Sequence, residues 1–496
     1  MIIDNQLLNE SFEDLREDFE ELEYLINSDL SHLQKFLTLV NRFKNQFREQ
    51  TYQLVLKDTL NLKNRFEKYF AEIKNIAQKA KKAPASASLI QKLIIVKDSY
   101  FDLIRSQYSL VGFFVTSFDW QSPSFAASLY SAAGKQTGQI LGTLNDYKRD
   151  AHLDEKDFER KYLSEYIDAP LKFGIHVYMT GSGQAAFTTI FNFLLMEEKM
   201  KGKILLGKSS YFQYKQLLIG ALRDKIIEVD ERETDNLLEI IKKEKPSAIF
   251  LDSLCNAKDI PVPDLINLIK FLVNDYREEI YLVIDNTCLT IAFQPFKMLI
   301  GKTRKVHLIM FESLMKYHHF GLDRATGGII VAYGRDTEKL FDYRKHSGTN
   351  IADSSVYMFP IPNRKMLEAR LKRLWRNAFQ VSSFLQNYLE HKPNKQIEKI
   401  VYPLCGSFFN IGFKKKNIRK YKQLVNLVIA EAKKKNIQIV GGTSFGLNNT
   451  RIYLTSLWTK FGEPFVRVSV GTENRYQIEI IKKVFIYSIG KIERWW

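Results

Sequence analysis

From about residue 165 onward, short runs of β-branched and aromatic residues alternate with amphipathic stretches. No other feature narrows the possible folds as far. The runs include "KILLG" near 205, "KIIEVD" near 228, "SAIFLDS" near 250, "IYLVIDNT" near 284, "HLIMFES" near 310 and "GGIIVAYG" near 330. Between them lie "ETDNLLEIIKKEKP" and "PVPDLINLIKFLVNDYREE", whose apolar residues recur at helical spacing. Apolar strands separated by helices predict an α/β sheet that is mostly parallel and covered on both faces. In such sheets ligands bind beyond the carboxyl ends of the strands.

The grammar changes on either side. From about 365, "RKMLEARLKRLWRNAFQVSSFLQNYLE" predicts a long helix, followed by "SFFNIGF", a helix near 420–435, "IQIVGGTSFG" and "VRVSVGT". This reads as a small α+β domain over 366–496 behind a large α/β domain over 166–365. Residues 1–115 carry apolar residues every three or four positions with charges between, interrupted by "APASAS" at 83–88. They predict an N-terminal helical extension.

Composition excludes several classes. Of 496 residues, 45% are hydrophobic and 26% charged, as in an ordinary globular protein. No apolar segment approaches the ~20 residues of a membrane span. The acidic start "MIIDNQLLNESFEDLREDFEELEYL" lacks the basic and apolar regions of a signal peptide. Cys255, Cys288 and Cys405 are odd in number and widely spaced, which fits reduced thiols in the cytoplasm and neither a disulfide framework nor a metal site. The net charge of +17 is spread along the chain, its densest cluster is the short "QKAKKAP", and no nucleic-acid-binding spacing is present. Neither a nucleic acid nor a membrane is expected as partner.

Three features fall at strand ends. "YMTGSGQAAFTTIFNFL" sets a Gly-Ser-Gly loop at the start of an apolar helix, where free amides and a hydroxyl can cradle phosphate. It has neither the P-loop lysine nor the dinucleotide-binding glycine spacing. "YLVIDNT" ends an apolar strand on Asp285, a carboxylate costly to bury without a partner unless it merely caps a helix. "IMFESLMKYHHFGLD" places Lys316 just past another such strand, where it is either an ordinary loop lysine or a desolvated amine able to form a Schiff base. A phosphate cradle, a strand-end acid and a strand-end lysine, in that order, are what a pyridoxal-phosphate site requires.

Further motifs join them: "SGQAA" at Ser182–Ala186, "SSYFQY" around Tyr211, "DSLCNA" around Asn256, "VIDNT" around Asp285, "SLMKYHHFGLD" from Ser313, "TSFG" at Thr443–Gly446, "FVRVSVGTE" around Arg467, and "LNDYKRDAHLDEKDFERKY" with Tyr147 and Arg149. Over about residues 120–490 the chain resembles the Cys/Met-metabolism branch of the fold type I pyridoxal-phosphate enzymes, which includes cystathionine γ-synthase, cystathionine lyase and methionine γ-lyase. The resemblance implies an aspartate-aminotransferase-like large domain with a mostly parallel seven-stranded sheet, a small C-terminal domain and an interface arm over 116–165. It implies pyridoxal 5'-phosphate as cofactor. Ser182, Gly183, Gln184 and Ser313 would hold its phosphate, Tyr211 would stack on its ring and act in catalysis, and Asn256 would lie near its phenolic oxygen. Asp285 would face the ring nitrogen, and Lys316 would be the catalytic Schiff-base lysine. Arg467 and Ser444 would bind the substrate carboxylate. Tyr147, also catalytic, and Arg149 would reach a neighbouring subunit's phosphate, giving a homodimer or homotetramer with shared sites. The implied activity is β/γ-elimination or γ-replacement on a small amino acid of sulfur metabolism, that is, a lyase or transferase of transsulfuration.

Departures from the family pattern crowd the substrate side: Met315 before the lysine, Leu254 and Ala257 in place of prolines, Phe212 and Gln213 after the tyrosine, and His318, His319 and Phe320 after the lysine. The two histidines read as packing or solvated loop residues. Two other readings stand beside the main one, an aminotransferase or other α-carbon chemistry, and a non-catalytic binding homologue. Retention of Lys316, Asp285, Arg467, Tyr147 and Arg149 together argues against the second.

Overall fold

The structure, a computed structural model, describes residues 5–42, 44, 49–117, 149–299, 305–455 and 463–494. Three long helices open the chain: α1 (Asn5–Arg42), α2 (Glu49–Lys82) and α3 (Ala87–Val115). In α1, Leu8, Phe12, Leu15, Phe19, Leu22, Ile26, Leu33, Phe36 and Val40 form one buried stripe, so the helix is held by packing. The break at Pro84 becomes a cap, in which the Ser86 hydroxyl accepts from the Leu89 amide at 3.2 Å and starts α3.

Seven strands follow: β1 (Ile175–Thr180), β2 (Ile204–Gly207), β3 (Ile226–Val229), β4 (Ala248–Asp252), β5 (Ile280–Asp285), β6 (Val306–Ser313) and β7 (Gly328–Tyr333). They form one sheet in the order β1-β7-β6-β5-β4-β2-β3. Only β7 runs antiparallel to its neighbours. All five residues of β4 are buried, as are the first five of β5 and the first seven of β6, which is why their sequences read as unbroken apolar runs. The parallel strands therefore deliver Thr180, Gly207, Asp252, Asp285 and Ser313 to one edge of the sheet.

A second, five-stranded sheet has the order β10-β11-β12-β9-β8. Its strands are β8 (Ile397–Val401), β9 (Phe408–Phe413), β10 (Val440–Gly441), β11 (Arg451–Thr455) and β12 (Phe465–Ser469). The long helix Arg364–His391 leads into it, and helices Ile418–Lys434 and Arg475–Arg494 pack with it. The N-terminal helices are locked onto this region by charge. Asp14 of α1 is buried and accepts from Arg376 at 2.7 and 2.9 Å and from the Arg475 amide at 2.9 Å. Removing one partner of such a buried group costs roughly 3–5 kcal/mol, so the extension is an integral part of the fold.

Candidate active site

The carboxyl edge of the large sheet opens into a cavity of about 540 Å³ shared with the second sheet. Its floor is the start of the helix Gly183–Met196. Ser182 caps this helix, its hydroxyl accepting from the Ala185 amide at 3.0 Å. The first helical amides, those of Gly183 and Gln184, have no intrahelical acceptor and supply the partial positive charge that attracts an anion. Glycine is required at 183 because a Cβ there would come within 2.8 Å of Ser313 Cβ. Ser313 lies across the cradle at the end of β6, its amide held by Thr287 Oγ1 at 3.0 Å.

Asp285 ends β5 and accepts from the Thr287 amide at 3.0 Å. Burial pushes its carboxyl up to about 6, against the hydrogen bonds of Thr287 and the charge of Lys316. Beside it in register stands Asp252, the last residue of β4. Asp252 is buried, bonded to the Tyr214 hydroxyl and to the Tyr211 amide at 3.0 Å. Burial and the neighbouring Asp285 hold its carboxyl well above the ordinary range. Asp252 was not singled out from sequence. The signal was there: "FLDS" and "VIDN" each end a strand on aspartate, and parallel pairing sets such ends side by side.

Lys316 follows β6 in a tight turn. Its Nζ donates to Ser444 Oγ at 3.1 Å and lies 5.4 Å from the centre of the Phe445 ring. Burial first, and then the positive charge of Arg467, bring this amine down to about 8. Arg467 projects from β12 and is 6% exposed. It donates to Asn256 Oδ1 at 2.7 Å and to the Thr443 carbonyl at 2.6 Å, with its guanidinium 5.3 Å from the Phe408 ring centre. Tyr211 lines the same cavity, its hydroxyl donating to Gln213 Oε1 at 3.0 Å.

Ser182, Gly183, Gln184, Tyr211, Asn256, Asp285, Ser313, Lys316 and Arg467 thus line one cavity, although they are drawn from both sheets. The Ser444 hydroxyl, expected beside a substrate carboxylate, accepts from Lys316 Nζ, and the neighbouring Thr443 carbonyl accepts from Arg467. Arg149 is exposed, its Nε donating to Asp150 at 3.1 Å, and Tyr147 lies outside the described residues. Leu254, Ala257, Phe212, Gln213 and Met315 also line the cavity, so most of the departures meet at this wall. His318 and His319 do not line it. Both are buried, His318 bonded to Glu312 and Thr290 at 2.9 Å each, and burial drives the His319 imidazole down to about 3. They are packing residues. Cys288, Tyr453, Phe465, Lys208, Lys258 and Glu463 also line the wall and were not anticipated.

A strand-end lysine of lowered basicity, a half-buried strand-end aspartate and an amide cradle around one cavity define a fold type I pyridoxal-phosphate site. Known structures share the fold. A crystal structure of metB from Corynebacterium glutamicum superposes with a TM-score of 0.56 at 17% identity, covering 74% of this chain and 93% of that one. Cystathionine gamma synthase from Xanthomonas oryzae pv. oryzae, in complex with cystathionine, gives 0.55 at 15% identity over 71% and 91%. Cystathionine gamma-lyase from Lactobacillus plantarum, complexed with L-serine, gives 0.53 at 18% identity over 71% and 91%. Among curated proteins, the bifunctional enzyme flvA of Aspergillus flavus is 20% identical over 360 residues, 70% of this chain but 43% of that protein, so the chain spans less than half the length of this relative. The profile of the Cys/Met metabolism PLP-dependent enzymes matches residues 120–450. The chain belongs to that family, and its cofactor is pyridoxal phosphate.

The residues fit the cofactor: glycine at 183 leaves the helix start free of a side chain beside Ser313, and the half-buried Asp285 can match a cationic ring nitrogen. Among the described residues no group of His, Cys, Asp and Glu could hold a metal ion, and no helix is long and apolar enough to cross a membrane.

Proposed function

We propose that the protein catalyses elimination or replacement at the β or γ carbon of a small amino acid. The observation that carries this reading is the convergence of Lys316, Asp285 and Arg467 on one cavity. Pyridoxal phosphate, when bound, supplies the electron sink that acidifies the substrate's Cα–H bond. Lys316 is the residue that carries the cofactor and then moves the Cα proton. With an amine near 8 it exchanges protons readily close to neutral pH. Asp285 supplies the negative charge that keeps the ring nitrogen protonated. Gly183, Gln184, Ser182 and Ser313 hold the phosphate, Tyr211 covers the ring, and Asn256 serves both the cofactor and Arg467.

Arg467 receives the substrate carboxylate. Its fork is already oriented by Asn256 and Thr443, so little freedom is lost on binding. Ser444, on the lysine, fixes the direction from which that amine approaches. Tyr147 and Arg149 complete a neighbour's phosphate site in a dimer or tetramer, and the free thiols of Cys255, Cys288 and Cys405 suit a cytoplasmic enzyme. A sulfur-containing or related amino acid is the favoured substrate. The cystathionine and L-serine bound in the Xanthomonas and Lactobacillus structures support that class.

The test is to reconstitute the protein with pyridoxal phosphate, screen amino acids for a change in visible absorption, and identify the products. Release of ammonia, a 2-oxo acid and the leaving group indicates elimination, and a new carbon–sulfur bond in the presence of a thiol indicates replacement. Amino-group transfer with the leaving group retained would overturn the reading in favour of an aminotransferase.

A further inference from the structure

The N-terminal helices lie outside the span matched by the family profile, yet they reach the turn that carries Lys316 and the loop that positions it. Arg370, on the helix Arg364–His391, is 2% exposed and joins the two. Its Nη1 donates to Glu21 of α1 at 2.5 Å, across 349 residues of sequence. Its Nη2 donates to the Gly446 carbonyl at 3.0 Å and to Asn448 Oδ1 at 2.7 Å. Gly446 closes the segment whose Ser444 bonds Lys316 and whose Thr443 bonds Arg467. It stands at φ +78°, and a Cβ there would come within 2.5 Å of the Lys316 carbonyl, so this loop lies directly on the lysine's backbone. Burial pushes the Glu21 carboxyl up, and the Arg370 guanidinium opposes that shift.

The same helices grip the chain just past the lysine. The Tyr24 ring meets the Phe320 ring edge-on at 5.0 Å, and the Arg370 guanidinium lies 5.7 Å from the centre of that ring. Arg105 of α3 donates to the Leu322 carbonyl at 2.8 Å, and Arg324 returns a bond to the Arg105 carbonyl at 2.7 Å. Within this stretch Phe320 adopts φ +51°, a left-handed backbone unfavourable to an aromatic residue, and Asp323, a residue type that tolerates it, adopts φ +50°. Such a conformation persists only where its surroundings over-determine it.

We propose that the N-terminal helical unit is a positioning element of the active site, and that Glu21, acting through Arg370, holds the Thr443–Gly446 loop on Lys316 and Arg467. The inference rests on the roles given above to Lys316 and Arg467. Glu21 does not line the cavity. It neutralises a guanidinium whose other donors fix the loop, and without it Arg370 is a buried cation that has lost its carboxylate partner.

The test uses the full-length holoenzyme with Glu21→Ala, Glu21→Gln and Asn448→Ala. Lys35→Ala serves as control, since Lys35 is a surface residue of the same helix that pairs with Asp157. Glu21→Ala is expected to raise KM for the amino acid about tenfold, the loss of one charge-assisted hydrogen bond acting through the loop, with a smaller fall in kcat. Amide exchange of residues 443–448, measured without added cofactor or substrate, should speed up by a similar factor. Glu21→Gln retains an acceptor for Arg370 but not the neutralising charge and should recover only part of both effects, falling between wild type and Glu21→Ala. Asn448→Ala cuts the relay at its other end without stranding a charge and should reproduce them, which keeps the test open if Glu21→Ala fails to fold. Lys35→Ala should change neither. Wild-type KM and wild-type exchange at 443–448 in Glu21→Ala or Asn448→Ala would overturn the proposal, as would faster exchange throughout the chain with KM unchanged. Failure of the underlying site reading would show separately, as a wild-type protein that forms no borohydride-stable link between cofactor and Lys316.

Discussion

Replacing Asp285 with asparagine should make the cofactor-free protein more stable and its complex with cofactor weaker. In the folded chain, burial lifts this carboxyl from 3.8 to about 6. The folded state therefore holds the proton more tightly than the unfolded state between those limits. The cost of ionising Asp285 is complete above about pH 6 and disappears as the pH falls below the ordinary carboxylate value. A shift of about 2 units at roughly 1.4 kcal/mol each places that cost near 3 kcal/mol at pH 8, and about half of it is left at pH 5. Asparagine never ionises, and its carbonyl can still accept from the Thr287 amide, so Asp285→Asn relieves most of this cost. Thermal unfolding of the cofactor-free proteins should show a higher midpoint for the variant at pH 8 and a smaller gap at pH 5. With pyridoxal phosphate added, a cationic ring nitrogen beside the carboxylate compensates the charge, so the wild type should gain more in midpoint than the variant. A cofactor-free Asp285→Asn protein less stable than wild type at pH 8, or an equal gain of both proteins from the cofactor, would rule out this role for Asp285.

Arg467→Ala should weaken amino-acid binding about ten- to a hundredfold, the equivalent of a charge-assisted bond of roughly 1.5–3 kcal/mol, and leave the visible spectrum of the bound cofactor in place. Titration of that spectrum with substrate checks this, and loss of cofactor with unchanged substrate affinity contradicts it. Because the Lys316 amine sits near 8 instead of 10.5, the rate at which cofactor-free protein captures pyridoxal phosphate should climb with pH and level off above about 8. A rate still rising steeply at pH 9.5 would mean that the amine is not desolvated. Co-expressed Lys316→Ala and Arg149→Ala chains should recover part of the activity that each lacks alone. Mixed oligomers that form but stay inactive would exclude a shared site.

Much of the large sheet and of its edge was legible in the sequence, because strands buried on both faces must be apolar and their ends must be marked by a change of chemistry. That is how Asp285, Lys316 and the Gly183 cradle stood out. Asp252 did not, since one carboxylate at the end of an apolar run looks like a cap until the register places it against Asp285. The bonds of Ser444 to Lys316 and of Thr443 to Arg467 were hidden for another reason: a side-chain oxygen and a backbone carbonyl one residue away have similar reach, and only coordinates show which faces the lysine. The hold of α1 on the catalytic turn was the least visible. Glu21 and Arg370 each read as a charge on the polar face of an amphipathic helix, and nothing local shows that 349 residues later the two faces are pressed together.

Whether Lys316 is the residue that carries pyridoxal phosphate can be measured directly. The holoprotein is reduced with borohydride, digested, and its peptides mapped by mass. A pyridoxyl group is expected on the peptide containing Lys316 and on no other, and none on Lys316→Ala protein treated in the same way. Label on Lys208 or Lys258, which line the same cavity, or label scattered over surface lysines with Lys316 unmodified, would contradict it.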